Sequence, residues 1–135
     1  MRGDAVVVDG DSLEIDGRRV RLWGIDAPEG SQSCTRDGRR WSCGRAAAQA
    51  LRTRVDGRTV SCRTVDTDSH GRLVGRCQVS DQELNRWMVR QGWALDYRRY
   101  SDGAYASDQA RARRSKLGVW SGTFEAPENY RRRQR

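Results

Sequence analysis

The sequence predicts an α+β fold, mainly β: a five-stranded Greek-key barrel carrying about three helices. Three observations point there. Apolar and polar residues alternate across residues 6–25, an alanine-rich helical stretch follows at 45–55, and a second alternating pair of segments at 60–79 precedes two further helical stretches. Three strands, a helix, two strands and then helices is the element order of a barrel of the OB type, whose face often binds oligonucleotides.

Each element has a local reason. Val6, Val8, Leu13 and Ile15 alternate with polar residues, as half-buried strands do. Asp16-Gly17 is a two-residue hairpin turn, and Val20, Leu22 and Trp23 continue into a third strand ending near Ile25. Pro28, Gly30 and Ser31 stop that strand, and a polar loop runs to about Cys43. Arg45–Val55 is a helix closed by Asp56-Gly57. Val60, Cys62 and Thr64, a turn at Asp66–Gly71, then Leu73, Gly75, Cys77 and Val79 form a second hairpin. Ser80 and Glu83 match a capping box before a short helix ending at Gln91-Gly92. Tyr105–Leu117 reads as a last basic helix ended by Gly118, and Tyr130–Arg135 as a frayed tail.

At 135 residues the chain is long enough for one domain with a modest core. We expect a single domain over 1–135, with its core at about 5–121 and a basic C-terminal tail at 122–135. Net charge is +8, and of the 26 basic residues only Lys116 is not arginine. Residues 90–135 hold 11 of them against 5 acids, so the positive charge concentrates toward the C-terminus. Such a surface favours a polyanion, and arginine's planar fork suits bidentate contact with phosphate. No apolar run is long enough for a membrane span or a signal-peptide core, so no membrane partner is expected.

Cys34, Cys43, Cys62 and Cys77 lack the tight pairs of a zinc site, and His70 is the sole histidine. Two disulfides fit better and imply a secreted or periplasmic protein whose signal peptide has been trimmed. Three connectivities are open, and the expected one is Cys34–Cys43 with Cys62–Cys77. A second hairpin centred on Ser69-His70 sets Cys62 opposite Cys77 on one face, within disulfide reach. A Cys34–Cys43 bond would brace the segment just after Glu29.

Acid concentrates where the chemistry is expected. Asp9-Gly10-Asp11 and Asp26-Ala27-Pro28-Glu29 bracket Arg21 in an otherwise basic protein. Hydrolysis of a phosphodiester needs a base for the attacking water and neutralisation of the charge on the phosphorane. Asp11 and Asp26 are hard oxygen donors suited to Ca²⁺ or Mg²⁺. Glu29 would orient water across the metal, and Arg21 and Arg72 would clamp the phosphate oxygens. Asp9-Gly10-Asp11 is not an EF-hand, because Leu13 replaces the third oxygen ligand.

The segments DGDSLEIDGRRVRLWGIDAPE (9–29), DSHGR (68–72), VRQGWA (89–94) and KLGVW (116–120) occur in the order seen in the staphylococcal nuclease-like, or thermonuclease, family, which the chain resembles over about residues 5–121. The resemblance implies an OB barrel with three helices and Ca²⁺-dependent hydrolysis of DNA and RNA, with Mg²⁺ or Mn²⁺ less favoured. It implies cleavage of the 5′ P–O bond, leaving 3′-phosphate ends, on substrate that is single-stranded or frayed. By it, Asp11 and Asp26 match metal carboxylates and Ala27 a backbone-carbonyl ligand. Arg21 and Arg72 match phosphate-binding arginines, Glu29 the general base, and Asp9 and Asp68 acidic supports around the site. His70 stands where a tyrosine contacts the nucleotide. Arg98 stands where another aromatic would stack, with Tyr97 and Tyr100 nearby.

The competing function is a non-catalytic nucleic-acid-binding OB module. Modules that only bind typically lose the carboxylates, whereas Asp11, Asp26, Glu29, Arg21 and Arg72 are all present. The expected protein is therefore a monomeric nuclease.

Overall fold

A computed structural model of the chain describes residues 1–134. Its strands are β1 (Arg2–Gly3), β2 (Ala5–Asp9), β3 (Ser12–Ile15), β4 (Arg18–Leu22), β5 (Ile25–Asp26), β6 (Cys34–Arg36), β7 (Arg39–Trp41), β8 (Val60–Thr67), β9 (Leu73–Val79), β10 (Gln82–Glu83) and β11 (Leu95–Asp96). The helices are α1 (Cys43–Val55), α2 (Leu84–Arg90), α3 (Arg98–Ser101), α4 (Ala106–Arg114) and α5 (Pro127–Arg133), with a 3₁₀ turn at Gly118–Ser121.

The mixed α+β class holds, with five α-helices among the described residues where about three were expected. Seven strands share the main sheet, in the order β1-β8-β9-β4-β3-β2 with β10 on β9. Pairing is antiparallel except between β4 and β9, which run parallel and cross the helix α1 between them in sequence. Among the described residues no ladder joins β1 to β2, so the hydrogen-bonded sheet is open. Two small sheets, β5 with β11 and β6 with β7, lie outside it.

Leu13, Ile15, Val20, Leu22, Leu51, Val60, Val79, Leu84 and Met88 are all buried in one core between sheet and helices. Asn85 ties α2 to the sheet: its Nδ2 donates to the carbonyls of Trp23 and Gly75, and its Oδ1 accepts from the Cys77 amide. A second cluster joins Cys34, Cys43 and Val119 to Trp41, Trp120 and Phe124.

Several local expectations are met. Asp16 and Gly17 both have positive φ, as a twist-matched hairpin turn requires. Cys62 pairs with Cys77 across β8 and β9, and the disulfides are Cys34–Cys43 and Cys62–Cys77. Each closes a short loop and adds about 2–4 kcal/mol in the usual case.

Other expectations need correction. On β2 the buried residue is Val7, while Val6 is 67% exposed. A bulge between Val7 and Asp9 shifts the register, and the Val7–Leu13 pair faces the core. The loop before Cys43 contains the β6–β7 hairpin, and α1 begins at Cys43 instead of Arg45. The third strand ends at Leu22 instead of near Ile25, and Ile25–Asp26 pairs with β11.

The Ser80–Glu83 capping box is absent. Ser80 takes a left-handed turn (φ 55°), and Glu83 accepts from Arg76, Arg86 and the Tyr105 hydroxyl, charge-assisted partners that outcompete a cap. The last basic helix spans only Ala106–Arg114. The tail is helical, as α5, over most of the stretch expected to fray; Arg135 lies outside the described residues.

Candidate active site

Asp11 lies in the turn between β2 and β3, immediately before Ser12. Its Oδ2 accepts from the Ala27 amide at 2.9 Å, and its carbonyl accepts from the Leu22 amide at 2.8 Å. Asp26 is on β5, opposite Leu95 of β11, and only 3% exposed. Arg21 stands near the end of β4, flanked by Ser12 of β3 and Val74 of β9. Its guanidinium reaches both acids, with Nη1 2.5 Å from Asp11 Oδ2 and Nη2 3.5 Å from Asp26 Oδ1. The two carboxylates therefore meet through a shared arginine, not through paired strands.

Glu29 is held from its backbone. Its amide donates to Oε1 of the buried Gln32, its carbonyl accepts from the Gln32 amide, and Gln32 Nε2 donates to the Glu125 carbonyl. The start of α1 packs so tightly behind it that a Cβ on Gly44 would collide with the Glu29 carbonyl. The Cys34–Cys43 disulfide clamps the same segment. Glu29's carboxylate thus projects from a braced turn.

Arg72 is aimed by Asp68. One Asp68 oxygen accepts from the amides of His70 and Arg72, and the other accepts from Arg72 Nε at 2.7 Å. Burial alone would raise the Asp68 pKa, but these hydrogen bonds together bring it below the ordinary value. Among the described residues no protein acceptor engages the two terminal nitrogens of Arg72.

These groups open onto one cavity of about 620 Å³, lined by Asp9, Asp11, Arg21, Glu29, Asp68, His70, Arg72, Tyr97, Tyr100 and Arg131 among others. Asp26 and Ala27 are buried beside it. Tyr97 and Tyr100 meet edge to face at 4.9 Å. Arg98, at the start of α3, is exposed and does not line the cavity, so it is not gathered with the other expected substrate contacts.

Charge crowds here. Burial raises the Asp26 carboxyl above its ordinary value, with Arg131 pulling it down and Asp11 adding to the rise. Burial raises Glu29 in the same way, Arg131 again opposing. Asp9 is raised by burial and then by Asp11. Burial disfavours the charge on Arg21, but Asp11 and Asp26 hold it firmly protonated. The acids thus carry negative charge that burial penalises and that an added cation would relieve. Asp11 and Asp26 are hard oxygen donors and fit such an ion. Among the described residues no cluster of three or more His, Cys, Asp and Glu side chains forms a metal cage. The protein would supply two carboxylates, and water or backbone carbonyls such as that of Ala27 the rest.

Arg131 is the residue that sequence reasoning missed. It reaches in from α5 and bonds both Asp26 oxygens, at 2.7 and 3.3 Å, and Glu29 Oε1 at 3.2 Å. No spacing in the sequence links it to partners more than a hundred positions away.

A profile of staphylococcal nuclease homologues matches residues 19–122. The succinoglycan biosynthesis protein ExoI of Rhizobium meliloti is 39% identical across 87% of this chain, which spans 63% of that relative's length. A protein of Escherichia coli O157:H7 described as an uncharacterized endonuclease is 36% identical over 90% of this chain and 77% of its own. The micrococcal nuclease of Shigella flexneri is 30% identical over 97% and 80%.

Proposed function

The chain belongs to the staphylococcal nuclease homologue family, and on that premise we propose that it is a nuclease hydrolysing phosphodiester bonds of DNA and RNA. The observation that carries this reading is Arg21 bridging Asp11 and Asp26 at the wall of the cavity that Glu29 and Arg72 also line. Relatives named as endonuclease and micrococcal nuclease support it.

Asp11 and Asp26, with the Ala27 carbonyl, would hold a divalent cation, for which we propose Ca²⁺ ahead of Mg²⁺ or Mn²⁺. When bound, that ion neutralises charge on the phosphate and polarises water. Glu29 accepts the proton of the attacking water, and burial, by raising its pKa, makes it a stronger base than a free glutamate. Arg21 and Arg72 donate hydrogen bonds to the phosphate oxygens as negative charge builds in the transition state. Asp68 keeps Arg72 aimed, and Asp9 adds negative potential beside the ligands. Breaking the 5′ P–O bond leaves a 3′-phosphate and a 5′-hydroxyl.

His70, Tyr97 and Tyr100 form the wall against which a nucleotide would lie; Tyr97 and Tyr100 offer ring faces to an unpaired base. We therefore propose single-stranded or frayed substrates, with Arg98 contributing at most at the rim. The rest of the reading follows the same premise: one domain over 1–135, a monomer, an OB-type Greek-key curl of the main sheet, and an exported location consistent with two disulfides. No described helix is long and apolar enough to cross a membrane.

Incubating single-stranded DNA or RNA with the protein tests the activity. Ca²⁺ is expected to give fragments with 3′-phosphate ends, and a chelator to stop cleavage. Intact substrate under every divalent metal would refute the proposal.

A further inference from the structure

The C-terminal helix places a guanidinium on the groups that a cation and a water molecule would need. Both oxygens of Asp26 face Arg131, and the same Nη1 reaches Glu29 Oε1 at 3.2 Å. The helix is seated for this. Pro127 is buried, the Tyr130 hydroxyl meets Ser31 Oγ at 2.7 Å, and Glu128 pairs with Arg99 at 3.2 Å. Arg133, two residues on, points elsewhere and pairs with Glu125.

Asp26 Oδ1 already has two cationic neighbours, Arg131 Nη1 at 2.7 Å and Arg21 Nη2 at 3.5 Å. A divalent ion on Asp26 would be a third positive charge on the same carboxylate, and its repulsion of the two guanidinium groups favours withdrawal of one of them. Arg21 is fixed on an interior strand of the main sheet, and its side chain is 16% exposed. Arg131 sits on a terminal helix at 31% exposure and is the one able to leave.

We propose that Arg131 is an internal competitor of the divalent cation. It neutralises Asp26 and covers Glu29 while the ion is scarce, and so sets the cation concentration at which the site becomes competent. The inference rests on the proposal that Asp11 and Asp26 hold the ion.

Calorimetric titration of chelator-treated protein with CaCl₂ tests it without reference to turnover. Arg131→Gln should tighten the Ca²⁺ Kd by about 2–5-fold, the scale of one partly screened ion pair. Arg133→Gln should leave it unchanged, and Asp26→Asn should abolish binding in either background. Tyr130→Phe, which only loosens the seat of α5, should move the Kd the same way by less, and it serves if Arg131→Gln misfolds. Equal or weaker Ca²⁺ affinity in both Arg131→Gln and Tyr130→Phe would overturn the competitor and leave the cation site standing. No binding by wild type or by Arg131→Gln, or undiminished binding by Asp26→Asn, would overturn the cation site itself.

Discussion

Replacing Glu29 by serine is expected to lower kcat on single-stranded DNA by about 10²–10⁴-fold, the range that a positioned general base supplies. The fold should survive. Glu29 is held by its backbone through Gln32, and among the described residues its carboxylate is hydrogen-bonded and ion-paired only to Arg131. Little packing is lost with the side chain, so the thermal midpoint should move little while turnover collapses. Steady-state kinetics beside a melting curve separates the two effects. A loss under tenfold in well-folded protein would remove Glu29 from the role of base.

Arg21→Gln is expected to damage both rate and stability. The rate term comes from losing a charged donor aimed at the phosphate, about 10²–10³-fold by analogy with single oxyanion-hole donors. The stability term arises because Asp11 and Asp26 are buried and would lose their shared partner. Removing one member of a buried ion pair costs about 3–5 kcal/mol, and the lower end applies here because Asp26 keeps Arg131. Added Ca²⁺ should restore part of the lost melting temperature and none of the lost rate, since an ion can replace Arg21's charge between the acids but not its hydrogen bonds to the phosphate. Rate and melting temperature both within error of wild type would show that Arg21 is a surface charge with no part in the site.

Sequence legibility followed the range of the forces involved. The Asp16-Gly17 turn and the Cys62–Cys77 disulfide were readable because a two-residue turn or a hairpin centre fixes register over the next few residues. The acidic segments around Arg21 were readable as chemistry because unpaired acid is costly to bury without a purpose. Their geometry was not: a bulge at Val7–Asp9 precedes Asp11, and Asp26 sits on a separate strand, Ile25–Asp26, that pairs with β11. Glu83 looked like a cap because the local pattern is sound, and Arg76, brought beside it on β9, takes the carboxylate instead. Arg131 was hidden in a run of arginines whose composition reads equally well as solvated tail. Pro127 at the first turn of α5 is a helix-start signal, but nothing local says that one of the arginines behind it faces inward.

The most direct test is a crystal structure of the Glu29→Ser variant, which should bind without cleaving, grown with Ca²⁺ and a short thymidine oligonucleotide. The ion is expected within about 2.3–2.6 Å of carboxylate oxygens from both Asp11 and Asp26. One phosphate should lie between Arg21 and Arg72, and Arg131 should be withdrawn from Asp26. A Ca²⁺ ion bound elsewhere, with Asp11 and Asp26 still closed on their arginines and the oligonucleotide on another face, would contradict the assignment of this cavity as the place of cleavage.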